Sequence, residues 1–534
     1  MRFRAGFLSI LLIASASLGF RAPERTQVSD PGKPLLGGTL RVKTMPGIAI
    51  SVSSLDPTES VASFILDELY DGLVRLDKNF NLIPALAEYW VISDSGRKFT
   101  FFLRKGAKFH HGREVTAEDV KFSLERLLRK GNGTLYFQSF KGKVVGAAEF
   151  ADGRASEVKG FRAINRSTFE IEWENPYSAG LLLLSMDYCK VLPRELVIAQ
   201  GQSFFMRPSG TGPFKFGSWM RSPRLGIEGV RLERNDEYFG EPPYIDAVEF
   251  SPHFSMEQFL SGEVHIIPFS EEDSVPERFG VLESDSLNFV FLGLSCDVPP
   301  LNRADVRRAL ALILDKDKIA QAAQSTGNFP KAFDDYVPAE LPGILPLESD
   351  QRPDPEKAAA LLAAAGFGPS RPFPEIVFRI PWPRNDIYMR IYRELRRQLE
   401  ALDIRLEYEY VRSLREERPK SRPYLQIFDW IMDFPDAENI VLPLFQSESF
   451  LNTAIMGFSD PVLDGLLAES EVEPGWERRT ALFRQMARLL RDSVPAIPLY
   501  RIRSRIAMQP NVRGARVSPM GFNNLDVRDI WFDE

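Results

Sequence analysis

Cysteine and histidine are scarce in this 534-residue chain, with two of the first and four of the second. The shortage removes most metal chemistry, because no Cys-x-x-Cys occurs and no histidine pair stands near a cysteine at the spacing of a zinc site. Cys189 and Cys296 either pair in an oxidising compartment or stay as two buried free thiols, and their separation along the chain decides neither. Also missing are His-Glu-x-x-His, Gly-x-Ser-x-Gly and any cysteine beside a base, so hydrolysis has little support. Carboxylates are plentiful enough for a glycosidase pair, but abundance alone places no two of them across a substrate. An excess of positive charge is lacking too. With 66 Lys and Arg against 73 Asp and Glu, the formal charge of −7 argues against a general nucleic-acid binder, which needs a basic face.

What is present is the composition of an average soluble protein, 44% hydrophobic and 26% charged, in a chain long enough for two or three domains. The 40 phenylalanines are spread throughout and read as core packing. At the N-terminus, Arg2 and Arg4 precede the apolar run Phe7 to Ala14 and the small residues Ala14-Ser15-Ala16, the three-part pattern of a secretory signal over residues 1–22. The run is too short to span a bilayer comfortably, which favours cleavage over anchoring, and no cysteine lies near the cleavage sites to carry a lipid. Loss of Arg2, Arg4 and Arg21 takes the charge from −7 to about −10. Residues 23–36, rich in Pro, Gly and charge, read as a tether.

The folded part begins with a strand at Gly37 to Val42, followed by a turn at Ser54-Leu55-Asp56-Pro57 and an amphipathic helix over Ser63 to Leu73. Leu86 to Leu128 contains a polar turn at Ser93 to Gly96, a strand at Lys98 to Leu103, and a helix opened by Thr116 with Glu118 and Asp119 in its first turn. Thr168 to Trp173 alternates with period two. Gly210-Thr211-Gly212-Pro213-Phe214-Lys215 is glycine-rich, but it lacks GxxxxGK[ST] spacing and opens no helix, so it is not a phosphate loop. Further helices are expected at Ala304 to Leu314, at Pro355 to Leu362 with a stop at Ala365-Gly366, and at Met389 to Leu402, where Ile391, Leu395, Leu399 and Leu402 form a stripe.

The succession LAEYW, SDSG, FTFFLRKGAKFHHG and VTAEDVKFSLER, then GTGPF and PPLNRADVRRALALILDKDKI, resembles the family 5 extracellular solute-binding proteins. These are the dipeptide-, oligopeptide- and nickel-binding components of ABC importers. The resemblance implies an α/β fold of two lobes about a cleft, with an extra domain, mixed sheets and a hinge between the lobes. It implies a first lobe at 37–67, 210–290 and 507–534, an extra domain at 68–209 and a second lobe at 291–506. A mixed sheet in each lobe is expected, with crossing strands near 287–294 and 496–506. The implied role is capture of a peptide, or of another solute such as a nickel chelate or an oligosaccharide, by a periplasmic monomer that delivers it to a membrane permease. No cofactor, ATP site or nucleic-acid partner is expected, and a carboxylate-based hydrolase is the weaker alternative.

The stretch Gln426 to Asn439, QIFDWIMDFPDAEN, carries the candidate site. A carboxylate just past a strand end, beside an aromatic, can hold an ammonium group or can merely cap a turn. In peptide-binding members the Trp-x-x-Asp pattern sets the tryptophan at the pocket wall and the aspartate on the α-ammonium group, which implies those roles for Trp430 and Asp433. Asp429 stands where the family often has a small residue. Facing the cleft it would favour a cationic ligand; facing solvent, as alternation allows, it means little. Arg384, in Pro381-Trp382-Pro383-Arg384-Asn385, is implied to pair with a ligand carboxylate. The family also places a loop here near Glu59 to Ser63 in the cleft, which brings in Val61 and Ser63, although the spacing alone reads as a loop before a core helix. The histidines His110, His111, His253 and His265 fall away from these positions.

Overall fold

A computed structural model describes residues 34–44, 55–57, 63–77, 79–129, 140–224, 226–269, 275–325, 329–341, 344, 352–382, 386–412, 418–517 and 525–533. The expected export signal, most of the tether, Val61 and Arg384 lie outside the described residues.

One sheet of eleven strands runs through the molecule. In chain order its strands are β1 Thr39–Lys43, β2 Phe214–Ser222, β3 Gly226–Arg234, β4 Ala247–Ser251, β5 Ile266–Pro268 and β6 Gly280–Leu294, then β7 Phe329–Ala332, β8 Ile376–Pro381, β9 Leu406–Val411, β10 Tyr424–Ile431 and β11 Ala496–Met508. Their spatial order is β9-β8-β10-β6-β11-β5-β1-β4-β3-β2, with β7 against β11. The two expected mixed sheets are therefore halves of one, carried across both lobes by the long strands β6 and β11.

The pairing of those two strands changes midway. Gly280 to Asp285 pairs with Arg503 to Met508, and after a register shift Phe289 to Gly293 pairs with Ala496 to Arg501. At the shift the Ser286 hydroxyl donates to the carbonyl of Ile502 at 2.8 Å. The composition of β6 explains its two behaviours: its polar first half alternates between exposed and half-buried, and its apolar second half is buried throughout.

A separate four-stranded sheet, in the order Ala87–Ser93, Lys98–Leu103, Thr168–Glu172 and Phe161–Asn165, packs on helix α2, Ala117–Leu128. Thr116 opens α2 as expected, with its amide donating to Asp119 Oδ2 at 2.9 Å. Trp173, Phe101, Phe140, Phe161 and Phe169 lie at the centre of this unit's core.

The glycine-rich Gly210-Thr211-Gly212 segment lies on the end of helix α1, Ser63–Leu69. A Cβ at Gly210 would stand 1.8 Å from the Leu69 carbonyl oxygen, and one at Gly212 would stand 2.3 Å from that of Glu68. Only glycine allows that approach. The half-buried His110 ring spans the segment, accepting from the Gly210 amide at 3.1 Å and meeting the Gly212 carbonyl at 3.0 Å. Burial lowers its pKa to about 4. His110 thus clamps the backbone of this segment, and the neighbouring His111 ring meets the Ser209 hydroxyl at 2.8 Å.

In the second lobe, helix α3, Asp386–Glu400, buries Ile391, Tyr392, Leu395 and Leu399 against one face of β8, β10 and β6, as its stripe predicted. Helices α4, Glu438–Phe445, and α5, Trp476–Ser493, cover the other face. Both cysteines are free thiols, Cys189 buried and Cys296 partly so, which resolves the open pairing. No helix among the described residues is long and apolar enough to cross a membrane.

Candidate functional site

The site is built at the end of β10. From Tyr424 to Phe428 both faces of this strand are buried; beyond that point Asp429 and Ile431 emerge to solvent. Its two edges also differ. β8 pairs with β10 only along Tyr424 to Gln426, whereas β6 pairs with it from Leu425 to Ile431. From Ile427 onward one edge therefore has no strand partner among the described residues.

Hydrogen bonds at the two ends of β10 show which groups face that edge. The Ser295 amide donates to the Tyr424 carbonyl, and the Met432 amide donates to the Leu287 carbonyl at 3.0 Å, so even-numbered positions face β6. Pro423 faces the other way, accepting from the Val377 amide at 3.1 Å. The backbone N–H and C=O groups of Ile427, Asp429 and Ile431 consequently point to the open edge.

The side chains divide between the two faces. Leu425, Ile427 and Asp429 lie on the α3 side, and Phe428 and Trp430 lie on the α4 side with Phe289 and Phe291. Trp430 is half-buried, and its indole N–H donates to the Asn439 carbonyl at 2.7 Å. The Asn439 side-chain oxygen accepts from the Asp433 amide at 2.8 Å. Asn439, in α4, thus fixes both members of the Trp-x-x-Asp pair through its own backbone and side chain. It lies within the quoted stretch, but its role depends on the chain turning back at Pro435 and Asp436, which spacing does not reveal.

Water touches Asp433, yet the protein packed around it displaces bulk solvent, and burial raises its carboxyl to about 6 against a smaller opposing hydrogen bond from Asn439. Burial likewise raises Asp429. Neither carboxylate has an ion-pair partner among the described residues. Asp429 faces Tyr388, in the first turn of α3, and Tyr500 of β11, two strands away in the row Asp429–Val290–Tyr500. The Tyr388 hydroxyl is pushed up to about 12 by burial first and by the charge of Asp429 second. At the neighbouring strand end, Trp382 is 57% exposed and meets the edge of Tyr410 at 5.6 Å.

Just past Asp433 the environment reverses. Phe434 is buried in the same apolar cluster as Phe101 and Trp173 of the four-stranded unit, and Phe80 from that side joins the cluster of Phe289 and Phe333. Arg479 Nη2 lies 2.9 Å from Asp436 Oδ1 and 3.1 Å from Glu438 Oε2. Lys143 reaches Glu438 at 3.1 Å and Glu471 at 2.8 Å, and the Tyr177 hydroxyl donates to Glu438 at 2.8 Å. Burial acts to raise Glu438, but Lys143 and Arg479 outweigh it and hold the carboxyl below its usual range. None of these interface groups was singled out from sequence, since Arg479 lies 43 residues from Asp436, and Lys143 and Tyr177 lie 295 and 261 residues from Glu438.

Of the remaining candidates, Ser63 stands at the first position of α1, and Val61 and Arg384 fall outside the described residues. The four histidines do not converge; His265, buried and lowered to about 4, accepts from the Arg41 amide at 3.0 Å. No group of three or more His, Cys, Asp or Glu side chains suited to a metal occurs among the described residues.

Residues 81–452 match the family described as bacterial extracellular solute-binding proteins, family 5 Middle. The chain is 25% identical to the dipeptide-binding protein of Escherichia coli (strain K12) over 498 residues, 86% of this chain and 89% of that protein. It is 26% identical to heme-binding protein A of Haemophilus influenzae over 493 residues, 85% and 86% of the two chains. It is 24% identical to the periplasmic oligopeptide-binding protein OppA of Salmonella typhimurium over 558 residues, 99% and 97%. Among solved structures, the unliganded open form of the periplasmic murein tripeptide binding protein MppA superposes with a TM-score of 0.75 at 21% identity, covering 94% of this chain and 99% of that one.

Proposed function

Because the chain belongs to the bacterial extracellular solute-binding proteins of family 5, we propose that it captures peptides in the cleft beside β10 and delivers them to the membrane permease of an ABC importer. One observation carries the peptide reading: an open strand edge at Ile427 to Ile431 leads directly to the unpaired carboxylate of Asp433. A peptide supplies the complement of both, a backbone that adds to a strand edge and an ammonium group at its end. Backbone pairing gives affinity that tolerates many side chains.

In this reading Trp430 walls the ammonium pocket, Arg384 pairs with the carboxylate of short peptides, and the segment of Val61 and Ser63 reaches the cleft from the first lobe. We assign that lobe to 37–67, 210–290 and 507–534, the extra domain to 68–209 and the second lobe to 291–506. Closure turns on β6 and β11, whose register shift at Asp285 to Phe289 supplies the natural bending point. The chain acts as a periplasmic monomer after removal of residues 1–22, with 23–36 as a tether, and binds its cargo without transforming it.

Calorimetry of the mature protein tests this against dipeptides, tripeptides, pentapeptides, oligosaccharides, nickel(II) chelates and haem. Tight binding of a peptide class supports the proposal. Binding of another class with no peptide affinity rejects it.

A further inference from the structure

We propose that Asp429, beside Tyr388 of α3, selects cargo that carries a basic side chain at its second to fourth residue; this rests on the peptide reading of the same cleft. Several carboxylates of the surrounding lobe are held by cations of the chain itself. Asp297 is held by Arg418 at 2.9 Å and Lys420 at 2.8 Å, Glu409 lies against Arg379 and Arg422, and Asp436 and Glu438 share Arg479. No cation reaches Asp429 among the described residues, although the surrounding protein raises its carboxyl. Arg390, the guanidinium acting on neighbouring Tyr500, is committed to the carbonyls of Ala322 at 2.8 Å and Gln324 at 2.7 Å.

The position of Asp429 makes a ligand the natural source of the missing charge. Its backbone N–H and C=O face the open edge, so a peptide residue pairing there presents its side chain on one face or the other of the extended sheet. On the α3 face that side chain meets the Asp429 carboxylate with the partly exposed Tyr388 on the helix above it, a setting that suits a guanidinium or ammonium through charge. Four residues separate Asp429 from Asp433, a span of about 13 Å along an extended strand at ~3.3 Å per residue. An extended peptide anchored by its ammonium on Asp433 covers that distance within roughly four residues, and a lysine or arginine stem shortens the requirement. Trp430 points to the opposite face and leaves the Asp429 side unobstructed by the ammonium pocket.

The experiment is calorimetry on the full mature chain at constant pH. Free-amine tetrapeptides of alanine carry lysine, norleucine or glutamate at the second, third or fourth position in turn. At one of those positions lysine is expected to bind about tenfold or more tighter than norleucine, with glutamate weakest. In Asp429→Asn the lysine-to-norleucine ratio should collapse to below about twofold, and Asp429→Lys should reverse the preference toward glutamate. Tetrapeptides that bind with no lysine preference at any position overturn the inference and leave the peptide reading standing. A preference that survives Asp429→Asn overturns it equally. Failure of every tetrapeptide to bind overturns this inference, and the peptide reading falls with it only if dipeptides, tripeptides and pentapeptides fail as well.

Discussion

Asp429 and Asp433 on one side of Phe434, and Asp436 and Glu438 on the other, are carboxylates of one short stretch with opposite fates. The second pair is buried and fully matched by Arg479, Lys143 and Tyr177. The first pair touches water, has no ion-pair cation among the described residues and is raised by the surrounding protein. A charge buried without a partner costs free energy, and a matched one holds two surfaces in register. The matched pair therefore does structural duty, joining the second lobe to the four-stranded unit, and we propose that the other pair receives a ligand that brings its own positive charge. The two sets are linked physically, because Asn439 follows Glu438 directly and holds both Trp430 and Asp433.

The largest effect should come from breaking the matched side. Arg479→Met leaves Asp436 without its bidentate partner and Glu438 with one cation fewer, and is expected to destabilise the protein by about 3–5 kcal/mol in chemical denaturation. A change below about 1 kcal/mol would erase the distinction drawn between the two sets.

A smaller effect sharpens the unmatched side through pH. Asp433 has its folded pKa raised to about 6, above the ordinary carboxylate value, so its contribution to the stability of the empty protein is full below that ordinary value and is lost as pH rises through about 6. Because water screens the group, that contribution should stay below about 1 kcal/mol. Binding has the opposite sign, since an ammonium ligand requires the ionised carboxylate. Affinity for free-amine peptides should fall by up to about tenfold between pH 7 and pH 5, and affinity for N-acetylated peptides should hold steady over the same window. Titration calorimetry at both pH values measures the difference.

The sequence made some of this legible and concealed the rest for physical reasons. Trp430 and Asp433 could be found because the pattern that carries them is local, a strand end followed by a turn. The crossing strands were expected at 287–294 and 496–506, and the apolar halves lie there; β6 begins earlier, at Gly280. Its polar start, Glu283 and Asp285, is held in the sheet by Arg501, Arg503 and Arg505, partners far along the chain that hydropathy does not register. The expectation of a sheet in each lobe missed their continuity, since pairing across a lobe boundary leaves no periodic trace. His110 was set aside as a site residue, and its place as a clamp on Gly210 and Gly212 depends on a contact about 100 residues away in sequence. Alternation with Trp430 left the face of Asp429 open between cleft and solvent, and its lack of a cation among the described residues depends on contacts between distant segments.

The central claim is that Asp433 receives the ammonium end of a peptide, and substitution Asp433→Asn tests it most directly. Affinities of the wild-type chain and the variant should be measured by calorimetry at pH 7 for matched free-amine and N-acetylated peptides. The account predicts a loss of about 10- to 150-fold for the free-amine form, as for a charge-assisted hydrogen bond of ~1.5–3 kcal/mol, and a loss below about threefold for the acetylated form. Equal losses for the two would contradict it.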